Sequence, residues 1–156
     1  MRRNDREVTD SAHIANIINR CTCCRIGFYD HSEVYIVPLN FGYVMDDNTY
    51  VFYFHGAKEG RKIDLISKSP NVGFEMDTNY ALNRADVACG HSARFQSIIG
   101  NGVVSMVLDP EEKKLGLNLL MKHNAGRKDW SFDEKMLDAV AVFKLVVTKI
   151  SCKEHL

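Results

Sequence analysis

No apolar run in this 156-residue chain reaches the about eighteen residues that a membrane-spanning helix needs. The opening Met1-Arg2-Arg3-Asn4-Asp5-Arg6-Glu7 carries cations without an apolar stretch behind them, so it does not read as a secretory signal. No membrane partner and a cytoplasmic location are expected. Neither sign of charge is in excess: 20 Lys and Arg balance 20 Asp and Glu. Such a chain projects no strong field toward nucleic acid, which is not expected as a partner. A Gly-x-Gly-x-x-Gly fingerprint is missing, which argues against a built-in dinucleotide-binding unit. Repeats, low-complexity tracts and linkers are also absent. The expectation is one domain over residues 1–156, large enough to bury a core without disulfides or metals.

Cysteine is present, but not in a metal-binding pattern. Cys21-Thr22-Cys23-Cys24 has C-x-C-C spacing, whereas zinc ribbons use C-x2-C pairs, and no second pair follows. With Cys89 and Cys152 the total is odd, which favours free thiols in a chain without an export signal. Most are read as small buried hydrophobes, and no metal is expected.

The stretch Phe54-His55-Gly56-Ala57-Lys58-Glu59-Gly60-Arg61-Lys62-Ile63-Asp64-Leu65-Ile66 is what the chain does offer. Before it, Tyr50-Val51-Phe52-Tyr53-Phe54 reads as a strand. After it, Ile63, Leu65 and Ile66 recur at helical spacing until Lys68-Ser69-Pro70 stops the helix. At the junction lie Gly56, Gly60 and three cations, Lys58, Arg61 and Lys62. Glycine lets backbone approach a ligand closely. A helix N-terminus with free N–H groups and added cations suits a phosphate. A solvated turn that happens to carry lysines is the alternative.

Around this stretch the pattern reads as follows. Residues 10–20 form an amphipathic helix with Ile14, Ile17 and Ile18 on one face. A short strand at 25–29 precedes a long strand-like run, 34–44, in which Pro38 demands an edge, a bulge or a break. With the strand at 50–54 this reads as a β-meander. Residues 72–76 are a strand, 77–91 a long loop and 93–107 a strand bent at Gly100-Asn101-Gly102. Asp109-Pro110-Glu111-Glu112 opens one helix and Ser131-Phe132-Asp133-Glu134 another. Residues 140–150 are the last strand, and Trp130 is assigned to the core. The class is α+β: a small antiparallel split β-barrel with flanking helices.

Three ordered motifs resemble those of the FMN-binding split-barrel family. They are Tyr35-Ile36-Val37-Pro38-Leu39-Asn40-Phe41-Gly42-Tyr43, Tyr53-Phe54-His55-Gly56-Ala57-Lys58-Glu59-Gly60-Arg61-Lys62 and Phe95-Gln96-Ser97-Ile98-Ile99-Gly100-Asn101-Gly102. More narrowly, the chain is similar to the nitroimidazole-resistance branch of the pyridoxamine 5′-phosphate oxidase-like proteins, down to the opening Met1-Arg2-Arg3. The resemblance implies a homodimer with FMN in each of two clefts between subunits. Val37, Pro38 and Asn40 would lie near the flavin ring. Lys62 and Arg61 would hold the phosphate with Ala57 behind, His55 would stand near the flavin, and Ser97 and Ile98 would complete the floor or phosphate shell. Position 95 departs from the family: Phe95 stands where relatives often carry Tyr, which removes a hydroxyl.

The implied activity is an FMN-dependent oxidoreductase reducing a small acceptor such as a nitroaromatic, with electrons from a reduced nicotinamide or ferredoxin. FMN would carry the redox chemistry, and His55 is the candidate proton donor because histidine titrates near neutral pH. The alternative is a flavin- or haem-binding module for storage or sensing without turnover. His91 and His123 are read as surface residues.

Overall fold

The computed structural model describes residues 4–127 and 129–156. The opening Met1-Arg2-Arg3 of the resemblance lies outside the described residues. Eight strands form one antiparallel sheet: β1 (Glu7–Val8), β2 (Cys24–Asp30), β3 (Glu33–Leu39), β4 (Gly42–Asp46), β5 (Thr49–Gly56), β6 (Asn71–Asn83), β7 (Ser92–Met106) and β8 (Ala141–His155). Four helices accompany them: α1 (Ser11–Arg20), α2 (Arg61–Lys68), α3 (Pro110–Ala125) and α4 (Glu134–Ala139). Sheet order is β3-β2-β6-β7-β8-β5-β4, with β1 added to β8. The α+β split barrel is therefore as the motifs imply. No helix among the described residues is long and apolar enough to cross a membrane.

The sheet curls around one apolar interior, to which Phe28, Phe41, Phe52, Phe54, Phe74, Ile98, Phe143 and Leu145 contribute fully or nearly fully buried side chains. α1 closes one end of this barrel through Ile14, Ile17 and Ile18, and α2 closes the other through Leu65 and Ile66. Asp10 caps α1 by accepting from the His13 amide at 2.6 Å. A second apolar layer lies outside the barrel, where Val51, Tyr53 and Val142 pack beneath Leu117 and Leu120 of α3 and Leu137 of α4. Asp109 and Asp133 cap those two helices, and Gly126 ends α3 in the left-handed conformation (φ 73°).

Four expectations change. The run at 34–44 is not one strand of a meander: it breaks at Asn40-Phe41, and its halves, β3 and β4, go to opposite edges of the sheet. Pro38 has no N–H for a second neighbour, so it sits on the edge strand β3, paired only with Arg25. The first half of the expected loop, 77–83, is strand, because β6 continues past a bulge at Asn79 (φ 57°) to Asn83 and pairs with β7, while 84–91 is loop with a short 3-10 turn at Ala88–Gly90. β8 runs on to His155 because β7 and β1 offer it partners. Trp130 is not core: it lies partly exposed under the Arg127 guanidinium, 4.4 Å from its ring centre.

The aromatic side chains Phe41, Tyr50, Phe52 and Phe54 are inside the barrel. The apolar side chains left open to solvent are others, among them Val34, Ile36, Ile99 and Val103 on the outer face of the sheet. Cys21, Cys24 and Cys152 are free and buried. Burial above all pushes the Cys21 thiol up to about 12 and the Cys152 thiol to about 11, so both stay protonated and inert.

Candidate functional site

β5 delivers the junction. Its aromatic run is buried on both faces, and Phe54 stacks on Phe143 with ring centres 5.3 Å apart. His55 is the first exposed residue of the strand. It pairs with Val142 and shares a face with Val51 and Tyr53. No described residue hydrogen-bonds its imidazole. Gly56 ends the strand, Ala57 to Gly60 form an exposed bend, and Gly60 takes φ 116°, which a side chain would strain. Gly60 caps α2 through its carbonyl, bonded by the Ile63 and Asp64 amides at 2.9 and 3.3 Å. Among the described residues the Arg61 and Lys62 amides find no backbone partner, and no side chain caps them.

The three cations here differ. Arg61 donates from Nε to Asp30 Oδ2 at 2.9 Å, also pairs with Glu33, and lies 4.6 Å above the Tyr35 ring centre. Its charge is thus already compensated, and it ties the start of α2 to the β2–β3 turn. Lys58 is exposed. Lys62 is half-buried and folds back over Gly56: a Cβ placed on Gly56 would come 2.8 Å from both Lys62 Cε and Nζ. Among the described residues no carboxylate pairs with Lys62. A half-buried ammonium, two open helix amides and a glycine floor make a cradle that fits a phosphate.

The remaining sequence-chosen residues are spread out. Val37 and Pro38 are neighbours on β3 and point to opposite faces, Val37 toward the core and Pro38 outward. Asn40 donates from Nδ2 to Thr22 O at 3.1 Å and to Asn124 Oδ1 at 3.2 Å. Both amide hydrogens are used inside the chain, which leaves only its oxygen for a ligand. Ile98 is fully buried, and Ser97 is half-buried on the outer face between Asp77 and Lys153. Along β8, Ala141 faces Gly56 and Cys152 faces Ile98. The strand between them is roughly 35 Å long at ~3.3 Å per residue. One chain therefore brings Ala57, Arg61 and Lys62 to one junction, puts the His55 side chain on the opposite face of β5 from the Gly56–Lys62 contact, and holds Ser97 and Ile98 at the other end of the barrel.

Asp30, Glu33 and Tyr35, which hold Arg61, were not legible as partners: they flank a different turn, and only the sheet places them there. The same is true of a chain of contacts at the α1 end. Asn79 Nδ2 donates to Gln96 Oε1 at 2.6 Å, Gln96 Nε2 donates to Glu154 Oε2 at 2.9 Å, and His13 Nε2 meets the same oxygen at 2.9 Å. His91 is exposed, as expected. His123 is half-buried against Phe41, and its Nε2 donates to Cys21 O at 2.7 Å.

The sequence matches the family described as pyridoxamine 5′-phosphate oxidase over residues 10–154. None of the curated proteins matches. Among solved structures, the chain resembles a candidate 5-nitroimidazole antibiotic resistance protein from Bacteroides thetaiotaomicron, at 30% identity and TM-score 0.79, covering 94% of this chain and 85% of that one. The flavocytochrome Anf3 from Azotobacter vinelandii has the same fold, at 18% identity and TM-score 0.80, over 100% and 72% of the two chains. So does the FAD and heme binding protein from Mycobacterium smegmatis, at 15% identity and TM-score 0.80, over 96% and 73%.

Proposed function

The chain belongs to the pyridoxamine 5′-phosphate oxidase family, and from that premise we propose that it binds FMN and reduces a small acceptor such as a nitroaromatic. The observation that carries the reading is the unpaired Lys62 ammonium over Gly56, beside the open amides of α2. Residues 1–156 act as one FMN-binding domain. The likeness to the Bacteroides protein supports the choice of acceptor. The absence of a dinucleotide fingerprint means that a reduced nicotinamide, or a ferredoxin, docks transiently as donor.

Bound there, the flavin supplies the electron transfer, and the chain's residues do the rest. Lys62 and the α2 amides hold the phosphate with Ala57 behind it. Arg61 contributes second, because Asp30 and Glu33 compete for it. Pro38 presents its ring, and Val37 and Asn40 their backbone and carbonyl groups, along the flavin. His55, exposed at the end of β5 next to Gly56, donates a proton to the reduced acceptor. Ser97 and the backbone of Ile98, on β7 opposite the far end of β8, are too distant to serve the same cradle. They reach it from a second copy, so the working unit is a homodimer, and the open outer-face residues Val34, Ile36, Ile99 and Val103 lie in its interface.

A second reading is a flavin- or haem-binding module without turnover. The lone imidazole of His55 favours it, since nothing among the described residues orients the ring as a proton donor is normally oriented. The experiment is titration with FMN and riboflavin, then reoxidation of the reduced, loaded protein by a nitroaromatic, with wild type and His55→Gln. FMN is expected to bind more tightly than riboflavin, and equal affinities would remove the phosphate cradle. At full occupancy, reoxidation by His55→Gln is expected to slow by about 10²–10⁴-fold. Unchanged rates would leave the binding module.

A further inference from the structure

A groove of about 500 Å³ lies between the first turns of α3 and the β4–β5 hairpin, and shares no lining residue with the Lys62 cradle. We infer that it is a binding site for an organic cation with an apolar body, held by Glu112 and the hairpin carboxylates Asp46 and Asp47.

Glu112 is the anchor. Its Oε1 accepts from Tyr53 OH at 3.0 Å and from Lys144 Nζ at 2.6 Å. Both donors use the same oxygen, and Oε2 has no partner among the described residues. The carboxylate is half-buried, held in one orientation, and has an acceptor to give. Its donors are fixed in turn. Tyr53 is buried beneath Gly116 of α3, where a Cβ would come within 2.7 Å of its ring, and Lys144 faces Tyr53 across β5 and β8.

Charge and surface select the ligand. The one ammonium in the groove, Lys144, is already paired with Glu112, so Asp46 and Asp47 on the opposite rim leave the field negative. The Tyr53 hydroxyl registers that field: burial first, then the Glu112 bond and the Glu112 and Asp46 charges, push it up to about 12. Between the two rims the lining is apolar apart from Thr49, and Met45, Leu115 and Val146 are open to solvent there. An anion would face three carboxylates, and a wholly apolar ligand would leave Glu112 Oε2 unmet. A protonated amine on an aromatic or aliphatic body satisfies both.

The test is NMR titration of the full-length chain, with FMN present, using protonated 2-phenylethylamine as probe and 2-phenylethanol and 3-phenylpropionate as its neutral and anionic counterparts. Saturable shifts at Val51, Leu115 and Val146 are expected with the amine, about 10-fold weaker binding of the alcohol, and none of the carboxylate. The exposed pair Asp46→Asn and Asp47→Asn, made together, lies on a turn that asparagine tolerates. It is expected to weaken the amine by about 10-fold and leave the alcohol unchanged. Equal binding of amine and alcohol, amine binding indifferent to the double substitution, or no shifts in the groove would each overturn the site.

Discussion

At the α1 end of the barrel, Gln96 is 3% exposed, yet its oxygen meets Asn79 and its nitrogen meets Glu154, which His13 of α1 also reaches. Tyr43 there donates to Asn19 Oδ1 of α1 at 3.0 Å. At the α2 end the arrangement is reversed: among the described residues the half-buried Lys62 has no counter-charge, and two helix amides are open. A polar group deprived of water without a partner costs stability. The first end has closed its account within the chain, and the second has left room for an anion. The difference is useful because each end can be perturbed without touching the other.

Removing the unpaired ammonium should have the largest effect. A charge-assisted hydrogen bond is worth roughly 1.5–3 kcal/mol, so Lys62→Ala is expected to weaken FMN by about 10- to 150-fold. Thermal stability without FMN should hold or rise, since the lysine has no partner to lose. Arg61→Ala should weaken FMN less, because its charge is shared with Asp30 and Glu33, and the double substitution should exceed either. Flavin fluorescence titration reads all three. Normal FMN binding by the double variant would place the phosphate elsewhere.

Gln96→Ala tests the closed end. It strips a partner from Asn79 and from Glu154 at a buried position, and is expected to cost about 1–3 kcal/mol in chemical denaturation. The Lys62 cradle lies at the far end of β8 and should keep its shape. A variant as stable as wild type would mean that water replaces the amide, and that the α1 end is less closed than its contacts suggest.

Glu154 gives the same end a pH signature. Hydrogen bonds from His13 and then from Gln96 hold its carboxyl below the ordinary glutamate range. A carboxylate whose folded pKa is depressed adds stability above its unfolded value, near ~4.3. That stability is lost as pH falls through the folded value. Wild type should therefore lose more stability than Glu154→Gln on going from neutral pH into the acid range below ~4. Parallel denaturation midpoints for the two proteins across that range would show that the carboxylate charge contributes nothing.

These two ends were unequally legible in the sequence. The α2 end is local: the strand, the glycines, the cations and the helix follow one another, so residues 50–66 announce it. The α1 end joins residues 13, 79, 96 and 154, which no spacing relates. Asn79 sits in what reads as a loop until the pairing of β6 with β7 exposes the bulge. The split barrel was legible through three motifs in order, but not its strand order, because a break at Asn40-Phe41 sends adjacent strands to opposite edges. Pro38 marked an edge without saying which one. The Tyr53–Glu112–Lys144 cluster had no signal either, since α3 meets β5 and β8 only through packing.

The smallest and most specific effect is expected from Gly56→Ala. An added Cβ would lie 2.8 Å from Lys62 Cε and Nζ, the far end of a flexible side chain rather than backbone. The lysine can swing aside at little cost, and alanine also restricts the unfolded chain more than glycine does. Stability without FMN should therefore stay within about 0.5 kcal/mol of wild type. The displaced ammonium, however, no longer faces the α2 amides at the same angle, and FMN binding should fall by a few-fold, about 3- to 10-fold. The claim is that Gly56 acts through Lys62, and a double-mutant cycle isolates that link. In a Lys62→Ala background the added methyl should have almost no further effect on FMN affinity. If it weakens FMN by the same factor there, Gly56 is instead where the cofactor itself touches the backbone, and the lysine is a separate contributor.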